Sequence, residues 1–366
     1  MQKPSFQRLN QYVNITSPYK AVIAMSGGID SSVAAALTLE QNLQCVGVTF
    51  KLYRDKNSSC SIGDIDSAKS AASSLGIPHY EIDFYEEFKK QVICHFIETY
   101  ENGEVSNPCI ECNRRIKFNF DLIKDRQFDF DFLVTGHYAR IKQDKTSGRF
   151  LLRKALDDKK DQSFMLYTLT QQQLEKIRFP LGDLTKKEVR KLAENKYFFN
   201  TEKSESQNIC FVPDGDYGKF IEEYTGKTYP PGNIMDPDGY IIGRHQGLIR
   251  YTIGQCRGLG AAANKPVYVT SKSSINNTIT VGPESALYSK SITAKDINLI
   301  ACDNLKKSMR VMVKTSSLQD AQAASAEQKG RDTLHIEFDT PQRAITRGQA
   351  VVMYEGDIVI GGGTIC

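Results

Sequence analysis

A glycine-containing turn between an apolar strand and a helix constrains this chain more than any other feature. Residues 20–25 are largely apolar and β-prone, residues 24–31 read A-M-S-G-G-I-D-S, and residues 30–41 are rich in Ala and Leu. Gly27 and Gly28 let backbone amides approach a ligand closely, and the positive N-terminal end of the helix points to the same place. Ser26 and Ser31 add hydroxyl groups. Residues 24–31, here called the phosphate loop, are therefore predicted to bind phosphate.

The phosphate loop differs from two common nucleotide-binding loops. It lacks the Gly-Lys-Ser/Thr of a Walker loop and the G-x-G-x-x-G of a dinucleotide fold. It resembles the S-G-G-x-D-S loop of ATP pyrophosphatases, which cleave ATP between the α- and β-phosphates and adenylate a substrate oxygen. Asp30 lies among groups that donate hydrogen bonds to phosphate, where a bare carboxylate would repel the ligand. It is therefore best explained as a group that organises Mg²⁺ or pyrophosphate. The structural alternative is a tight turn capped by Asp30 or Ser31.

Strand and helix patterns alternate through the first half of the chain. The strand patterns cover residues 20–25, 45–50, 79–84 and 132–135, and the helical patterns cover residues 30–41, 64–75, 85–100 and 114–124. Such alternation predicts an α/β domain with a parallel sheet covered by helices on both faces.

The pattern changes in the second half. Gly and Pro cluster at residues 229–232 and 236–239, and short β-branched runs follow at residues 309–313, 334–338 and 350–354. These runs predict a small antiparallel β-barrel or sandwich, with the polar residues 316–332 as a loop. We therefore predict a catalytic domain over residues 1–213, a small central domain over residues 214–285 and a C-terminal barrel over residues 286–366.

Two cysteines lie close together in a basic segment. Residues 107–118 read N-P-C-I-E-C-N-R-R-I-K-F, and a helix beginning at residue 113 or 114 would place Cys112 at its N-terminal end, where the thiol pKa is lowered. Cys210 lies in a second loop-like segment. A structural zinc site is disfavoured because no partnering C-x-x-C exists. The remaining interpretations are an iron–sulfur cluster on Cys109, Cys112 and Cys210, a nucleophile paired with a persulfide-bearing thiol, or free loop cysteines.

Composition excludes several other classes of protein. Nine cysteines in 366 residues are too few for a disulfide scaffold, and 47 basic against 43 acidic residues exclude a histone-like charge. The sequence has no apolar run long enough to span a membrane. The first 29 residues carry no acidic residue, as an organellar presequence would, but they have few Arg and little amphipathic period. We therefore expect an untargeted cytoplasmic protein.

Seven motifs in order along the chain resemble the tRNA-specific 2-thiouridylases. Besides residues 24–31 and 107–118, they are T-G-H-Y-A-R (135–140), K-D-Q-S (160–163), S-Q-N-I-C-F (206–211), Y-T-I-G-Q-C-R-G-L-G (251–260) and G-G-G-T-I (361–365). The resemblance implies an N-terminal adenine nucleotide α hydrolase-like (HUP) domain, a central domain and a C-terminal barrel. It also implies that ATP adenylates the 2-oxygen of the tRNA wobble uridine. Sulfur from a protein persulfide, supplied by a sulfur carrier protein, then replaces that oxygen.

The resemblance also implies roles for individual residues. Cys112 takes the position of the nucleophile, and Cys210 takes that of the persulfide, whose later disulfide is with Cys112. The ATP-contacting positions are Ala24, Met25, Ser26, Gly27, Gly28, Ile29, Asp30, Ser31, Phe50 and Gly136. The tRNA-contacting positions are His137, Lys160, Asp161, Gln162 and Gln349. The cations beside the thiols, Arg114, Arg115 and Lys117, are predicted to meet the phosphates that flank a flipped-out base, the alternative being a solvated helix face.

The sequence departs from the family pattern at three positions. Cys109 stands where many members have Asp, Lys314-Thr315-Ser316 stands where Arg-Tyr-Arg is usual, and Cys256 replaces a frequent basic residue. Cys109 puts acid–base use of that position in doubt. Two rival functions remain, which are an ATP-dependent amidating or ligating synthetase of a small metabolite and a non-catalytic tRNA-binding module.

Overall fold

A parallel sheet forms the centre of the N-terminal domain. The computed structural model describes residues 19–53, 62–195, 209–259 and 266–366. The strands up to residue 213 are β1 (Lys20–Ala24), β2 (Gln44–Lys51), β3 (His79–Asp83), β4 (Phe132–Val134), β5 (Arg140–Gln143), β6 (Phe150–Arg153) and β7 (Ile177–Arg178). Five of them form a sheet of order β3-β2-β1-β4-β7 in which every neighbouring pair is parallel. This confirms the predicted parallel sheet.

Both faces of this sheet are covered. Successive residues of a strand point to opposite faces, and Ala21, Val22 and Ile23 of β1 all lack solvent exposure. Val22 packs in one hydrophobic cluster with Val46 and Phe50, whereas Ala21 and Ile23 pack in another. A strand buried on both faces is typical of parallel sheets, and this explains why residues 21–25 read as an uninterrupted apolar run.

The helices of this domain follow the predicted alternation. They are α1 (Ile29–Leu39), α2 (Ile62–Ser74), α3 (Tyr85–Phe88), α4 (Cys94–Glu101), α5 (Pro108–Cys112), α6 (Phe120–Asp125), α7 (Gln171–Lys176) and α8 (Lys186–Asn195). A π-helical turn, Lys89–Ile93, joins α3 to α4, so the predicted helix over residues 85–100 is one continuous element.

The predicted helix over residues 114–124 is wrong at its start, and it is interrupted, because α6 begins separately at Phe120 with Asn119 as its N-cap. Helix α5 begins at Pro108 and continues through a π-helical turn, Asn113–Lys117, and these ten residues are called the thiol helix below. The Asn107 side chain accepts a hydrogen bond from the Cys109 amide at 3.0 Å, and proline is favoured at the first helical position. Cys112 therefore lies inside the helix, and the argument that a helix N-terminus lowers its pKa fails.

The central domain is a small mixed sheet preceded by α9 (Tyr217–Thr225). Its strands are β8 (Gly232–Met235), β9 (Ile241–His245), β10 (Tyr268–Ser273) and β11 (Thr278–Gly282), in the order β10-β11-β8-β9. Ile234, Val269 and Ile279 have no solvent exposure and form the centre of a separate small core.

A closed antiparallel barrel forms the C-terminal domain. Its strands are β12 (Tyr288–Leu299), β13 (Met309–Lys314), β14 (Gln322–Gln328), β15 (Thr333–Arg343), β16 (Ala350–Glu355) and β17 (Ile358–Ile365). They follow the order β12-β15-β14-β13-β16-β17, and pairing of β12 with β17 closes the ring. The predicted loop over residues 316–332 is wrong, because it contains β14. In β14 the buried residues Ala324 and Ala326 alternate with less buried, mostly polar residues. The buried side chains are only methyl groups, so the sequence lacks the apolar alternation that would predict a strand.

The N-terminal domain extends the barrel's sheet. The β5–β6 hairpin pairs with β17, where Arg153 lies opposite Ile358. At the turn between β16 and β17, Asp357 accepts hydrogen bonds from Arg140 at 2.8 Å and from Arg153 at 2.9 Å. Within the described ranges, no helix has the length and apolar character to cross a membrane.

Candidate active site

The phosphate loop lies between β1 and α1, where the sequence predicts it. Gly28 is the N-cap of α1, and no side chain caps the helix there, contrary to the structural alternative of capping by Asp30 or Ser31. The Ser31 hydroxyl instead donates to the Gly28 carbonyl at 3.0 Å and accepts from the Ser26 amide at 3.1 Å. The loop is thus shaped by its own hydroxyls, and the α1 N-terminus keeps the character of an anion site.

Two glycines allow close packing around this loop. Gly27 has a φ of +75°, and a Cβ there would lie 2.1 Å from the backbone oxygen of Asp64 in α2. Gly136 follows β4, and a Cβ there would lie 2.8 Å from the Asp30 carbonyl carbon and the Ser31 nitrogen. The carboxyl ends of β1 and β4 therefore meet at the phosphate loop, as ligand sites in parallel sheets do.

Asp30 is held by two residues that the sequence reasoning missed. The Lys186 ammonium lies 2.7 and 2.8 Å from its two carboxylate oxygens, and the Tyr138 hydroxyl donates to one of them at 2.8 Å. Lys186 is the first residue of α8, where Thr185 and Glu188 exchange hydrogen bonds in a capping box. The T-K-K-E pattern is a signal for that helix start, although it does not reveal the partner of Lys186.

Phe50 lies deeper than the loop. It is buried and packs on Phe84 with ring centroids 5.4 Å apart. Its predicted contact with ATP stays a prediction.

The two thiols of the thiol helix have different surroundings. Cys109 is exposed, whereas Cys112 is buried and belongs to the main hydrophobic cluster. Cys109 reaches solvent, but the surrounding protein desolvates its thiol and raises the pKa, an effect that the charge of Lys117 only partly opposes. Neighbouring Asn113 is also buried and donates to the Met165 carbonyl at 3.2 Å, which holds the helix in place.

Cys210 packs at the edge of the same cluster that contains Cys112. The next residue, Phe211, is 2% exposed and contacts Phe88, Phe96 and Phe220 at ring-centroid distances of 5.8, 5.5 and 5.1 Å. This anchor holds the segment that carries Cys210 against the core. Residues 206–208 of its motif lie outside the described residues.

In the part of the chain that the structure describes, no three His, Cys, Asp or Glu side chains are grouped so that they could hold a metal ion. Cys109, Cys112 and Cys210 thus do not form a ready ligand set in this arrangement. The geometry of the described residues gives the cluster interpretation no support.

His137 and Lys117 connect the phosphate loop to the thiol helix. His137 follows Gly136, its Nδ1 lies 2.7 Å from the Thr135 hydroxyl, and its ring lies between Phe118 and Phe179 at 5.6 and 5.9 Å. Burial, and then the charge of Lys117, lower the pKa of His137 to about 3. The charge of Lys117 thus opposes a positive charge on His137 and favours a thiolate at Cys109, and the contact of the His137 ring with Phe118 joins the turn after β4 to the end of the thiol helix.

The predicted K-D-Q-S contacts lie beside this site. Asp161 accepts from the Ala155 amide at 3.0 Å and from the Ser163 hydroxyl at 2.8 Å, and Gln162 accepts from the Tyr138 amide at 2.9 Å. The acceptor oxygens of both residues thus shape the loop and join it to the turn after β4. The tRNA contacts of Lys160, Asp161 and Gln162 stay predictions.

The remaining predicted tRNA residues lie where the thiol helix meets the barrel. Arg114 pairs with Asp296 of β12, and Arg115 pairs with Glu111 one helical turn earlier. Gln349 accepts from the Thr346 amide at 3.0 Å. It follows Gly348, where a Cβ would lie 2.1 Å from the Val105 oxygen. The barrel loop with Gln349 therefore packs on the segment that leads to the thiol helix.

Of the three departures from the family pattern, Cys109 lies in the thiol helix, and the other two lie outside both the thiol helix and the phosphate loop. Lys314 ends β13, Thr315 is buried and bonds to Gln319, and Cys256 is exposed in the central domain. Cys60 lies outside the described residues.

A parallel sheet with this loop, followed by a small mixed-sheet domain and a closed barrel, defines a multidomain nucleotide-binding protein of the HUP class. Residues 19–214 match the family model described as tRNA methyl transferase HUP domain, residues 218–283 match its PRC-barrel domain, and residues 289–365 match the aminomethyltransferase beta-barrel domain. The chain belongs to the tRNA-specific 2-thiouridylase family, as its motifs predict.

Its relatives align over almost their whole length. The protein of Clostridioides difficile strain 630 named tRNA-specific 2-thiouridylase MnmA is 44% identical over 94% of this chain and 98% of its own. The protein of the same name from Acetivibrio thermocellus is 45% identical over 95% and 99%. A solved structure of the U34-tRNA thiolase NcsA from Methanococcus maripaludis with its [4Fe-4S] cluster is 18% identical and has a TM-score of 0.33. It covers 60% of this chain and 71% of its own, a likeness too weak to support any conclusion about a cluster here.

Proposed function

We propose that this protein uses ATP to convert the wobble uridine of tRNA to 2-thiouridine. One observation carries the proposal, which is the continuity of the phosphate loop with the thiol helix. Gly136 packs on the backbone of Asp30 and Ser31, His137 follows it, and the His137 ring lies 5.6 Å from that of Phe118, the residue directly after the thiol helix. Activation of an oxygen by ATP and attack by sulfur can then occur in one site.

The reaction needs a leaving group and a soft nucleophile. The uridine 2-oxygen attacks the α-phosphate of ATP, and pyrophosphate leaves. The terminal sulfur of a persulfide on Cys210 then attacks C2, and AMP leaves with the former uridine oxygen. The Cys112 thiolate attacks the Cys210 sulfur, so that 2-thiouridine is released and a disulfide joins the two cysteines. A thiol reductant and a persulfide-donating sulfur carrier protein restore the starting state.

Three features of the site support these roles. Cys112 and Cys210 belong to or border one hydrophobic cluster, which excludes water from the sulfur chemistry. Lys186 brings a cation to the phosphate loop. The pKa of Cys109 is raised, so at neutral pH this position presents a protonated thiol where many family members have a carboxylate.

Mg²⁺ fits the site as a companion of ATP. Magnesium is commonly held by one or two carboxylates together with substrate phosphates. Asp30 is the carboxylate at the phosphate loop, and an ion held there would share its two oxygens with the ammonium group of Lys186. When bound, the ion would neutralise phosphate charge. A cytoplasmic location for this reaction stays a prediction.

The proposal is tested by incubating the protein with ATP, a persulfide donor and unmodified tRNA, and then measuring 2-thiouridine by nucleoside mass spectrometry. We expect thiouridine with the unaltered chain and none with Cys112→Ser or Cys210→Ser. Cys256→Ser and Cys366→Ser, which alter exposed cysteines, are the matched controls and should retain activity. Normal thiolation by both Cys112→Ser and Cys210→Ser would refute the mechanism.

The rival functions predict other results. An amidating synthetase of a small metabolite would cleave ATP without stimulation by tRNA and would not need either cysteine. A non-catalytic tRNA-binding module would bind tRNA without cleaving ATP. Measurement of pyrophosphate release with and without tRNA separates both from the proposed function.

A further inference from the structure

A bulge in β12 directs the side chain of Asp296 toward the thiol helix. Lys295 lies opposite Thr364 of β17 and Asn298 lies opposite Gly362, so Asp296 and Ile297 together face Gly363. Asp296 has a φ of +50°, a conformation that side-chain-bearing residues other than Asn and Asp rarely adopt. Such bulges redirect side chains and recur beside active sites.

The redirected carboxylate reaches the residue two positions beyond Cys112. Asp296 accepts hydrogen bonds from both terminal nitrogens of Arg114, at 2.5 and 3.1 Å. Two parallel bonds of this kind fix the orientation of a guanidinium group as well as its position. Arg114 belongs to the π-helical turn that directly follows Cys112, so the ion pair ties this turn to the barrel.

The other end of the bulge holds the segment on which the thiol helix packs. Asn298 donates to the carbonyls of Tyr167 and Leu169 at 2.7 and 3.0 Å. A Cβ at Gly362 would lie 2.8 Å from the Tyr167 ring, so the glycine permits this close approach. The bulge and the C-terminal G-G-G-T-I signature together form a docking surface for the N-terminal domain.

We infer that the Arg114–Asp296 ion pair is a positioning device that fixes the thiol helix against the barrel. Arg114 acts on the reaction through Asp296 and not by direct contact with a tRNA phosphate, because the paired carboxylate neutralises its charge and fixes the plane of its guanidinium group. The inference rests on the proposed function for its catalytic readout, but its structural readout needs neither ATP nor tRNA.

A double-mutant cycle with Arg114→Gln and Asp296→Asn tests the inference. Asn also tolerates a positive φ, so Asp296→Asn removes the charge and keeps the bulge. The first readout is the rate at which iodoacetamide alkylates Cys112, followed by peptide mass spectrometry. We expect each single variant to raise this rate about three- to fivefold, the size expected for a partly exposed ion pair, and the double variant to raise it no further.

Arg310→Gln is the matched control. Arg310 makes a similar two-bond pair with Asp339, at 2.8 and 2.6 Å, on the exposed surface of the same barrel. Its loss should leave Cys112 alkylation unchanged. Equal alkylation of Cys112 in all variants would overturn the positioning claim, whether or not the proposed reaction is correct.

The second readout separates positioning from phosphate binding. Positioning predicts that Arg114→Gln and Asp296→Asn lower kcat by the same factor and leave the dissociation constant for tRNA unchanged, and that Arg114→Lys partly restores kcat. If Arg114→Gln weakens tRNA binding while Asp296→Asn leaves it unchanged or tightens it, Arg114 contacts phosphate directly and the inference is wrong.

Discussion

The ammonium group of Lys186 lies 2.7 and 2.8 Å from the two carboxylate oxygens of Asp30, although the two residues are 156 positions apart in the chain. Lys186 is only 12% exposed and begins α8, whereas Asp30 lies in the first turn of α1. A bare carboxylate at this loop would repel ATP. The pair cancels that charge and places an ammonium group beside the phosphate loop.

We predict that Lys186→Gln weakens ATP binding by at least about tenfold, because a hydrogen bond from a charged donor to phosphate is lost and the carboxylate of Asp30 is left unbalanced. Isothermal titration with ATP measures the effect. Lys187→Gln is the control, since Lys187 is the exposed neighbour on the same helix. Equal affinities of the two variants would contradict this role of Lys186.

Gly27→Ala should lower the free energy of unfolding by more than the backbone strain of a positive φ alone would. Gly27 and Gly330 have nearly the same φ, +75° and +74°, but only Gly27 lies against backbone that a Cβ would strike. Gly330→Ala should cost about 1–3 kcal/mol from backbone strain, and Gly27→Ala a further 1–3 kcal/mol or so from the clash with α2. Urea unfolding compares the two variants, and equal losses would show that the close approach of the loop to Asp64 is unimportant.

His137 should remain uncharged throughout the physiological range. Its pKa is lowered from 6.5 to about 3 in the folded chain, chiefly by burial, so between these values the unfolded chain binds a proton that the folded chain does not. The stability that this histidine contributes is therefore complete above about pH 6.5 and is lost as the pH falls toward 3. The imidazole resonances of His137 should not move between about pH 8 and 5, and titration near neutrality would contradict the account.

The ion pairs of Asp357 should contribute to acid unfolding. Burial disfavours the charged form, but the hydrogen bond from Arg153 and the charges of Arg153 and Arg140 outweigh it and lower the pKa of Asp357. A depressed carboxyl pKa stabilises the fold at neutral pH, and this stability is lost as the pH falls through the folded value. Asp357→Asn should thus lower the melting temperature at pH 7 and reduce its dependence on acid pH. An unchanged pH profile would exclude a role for this link.

Local patterns in the sequence were sufficient for much of the fold. The phosphate loop could be predicted because strand, glycines and helix start are contiguous, and the parallel sheet could be predicted because strand and helix patterns alternate. The start of the thiol helix at Pro108 could also have been predicted, since Asn followed by Pro is a signal for the beginning of a helix. Strand β14 was not, because Ala324 and Ala326 bury little apolar surface.

Long-range partners were beyond the sequence. No local pattern indicates that Lys186 meets Asp30, or that Asp296 meets Arg114 across 182 residues. The sequence identified Asp30 and Arg114 as candidate site residues, but it did not identify their partners. Charge pairing depends on how α8 and the β12 bulge pack against the sheet domain. The predicted roles of Cys112 and Cys210 came from motif resemblance, and only their shared hydrophobic cluster comes from the structure.

The most direct test of the account follows the uridine oxygen. A tRNA anticodon stem-loop carrying ¹⁸O at the wobble uridine 2-position is thiolated with ATP and a persulfide donor, and AMP and pyrophosphate are analysed by mass spectrometry. If ATP adenylates that oxygen, one ¹⁸O appears in AMP for each 2-thiouridine formed. Unlabelled AMP accompanying thiouridine, or label in pyrophosphate, would contradict adenylation of the uridine oxygen.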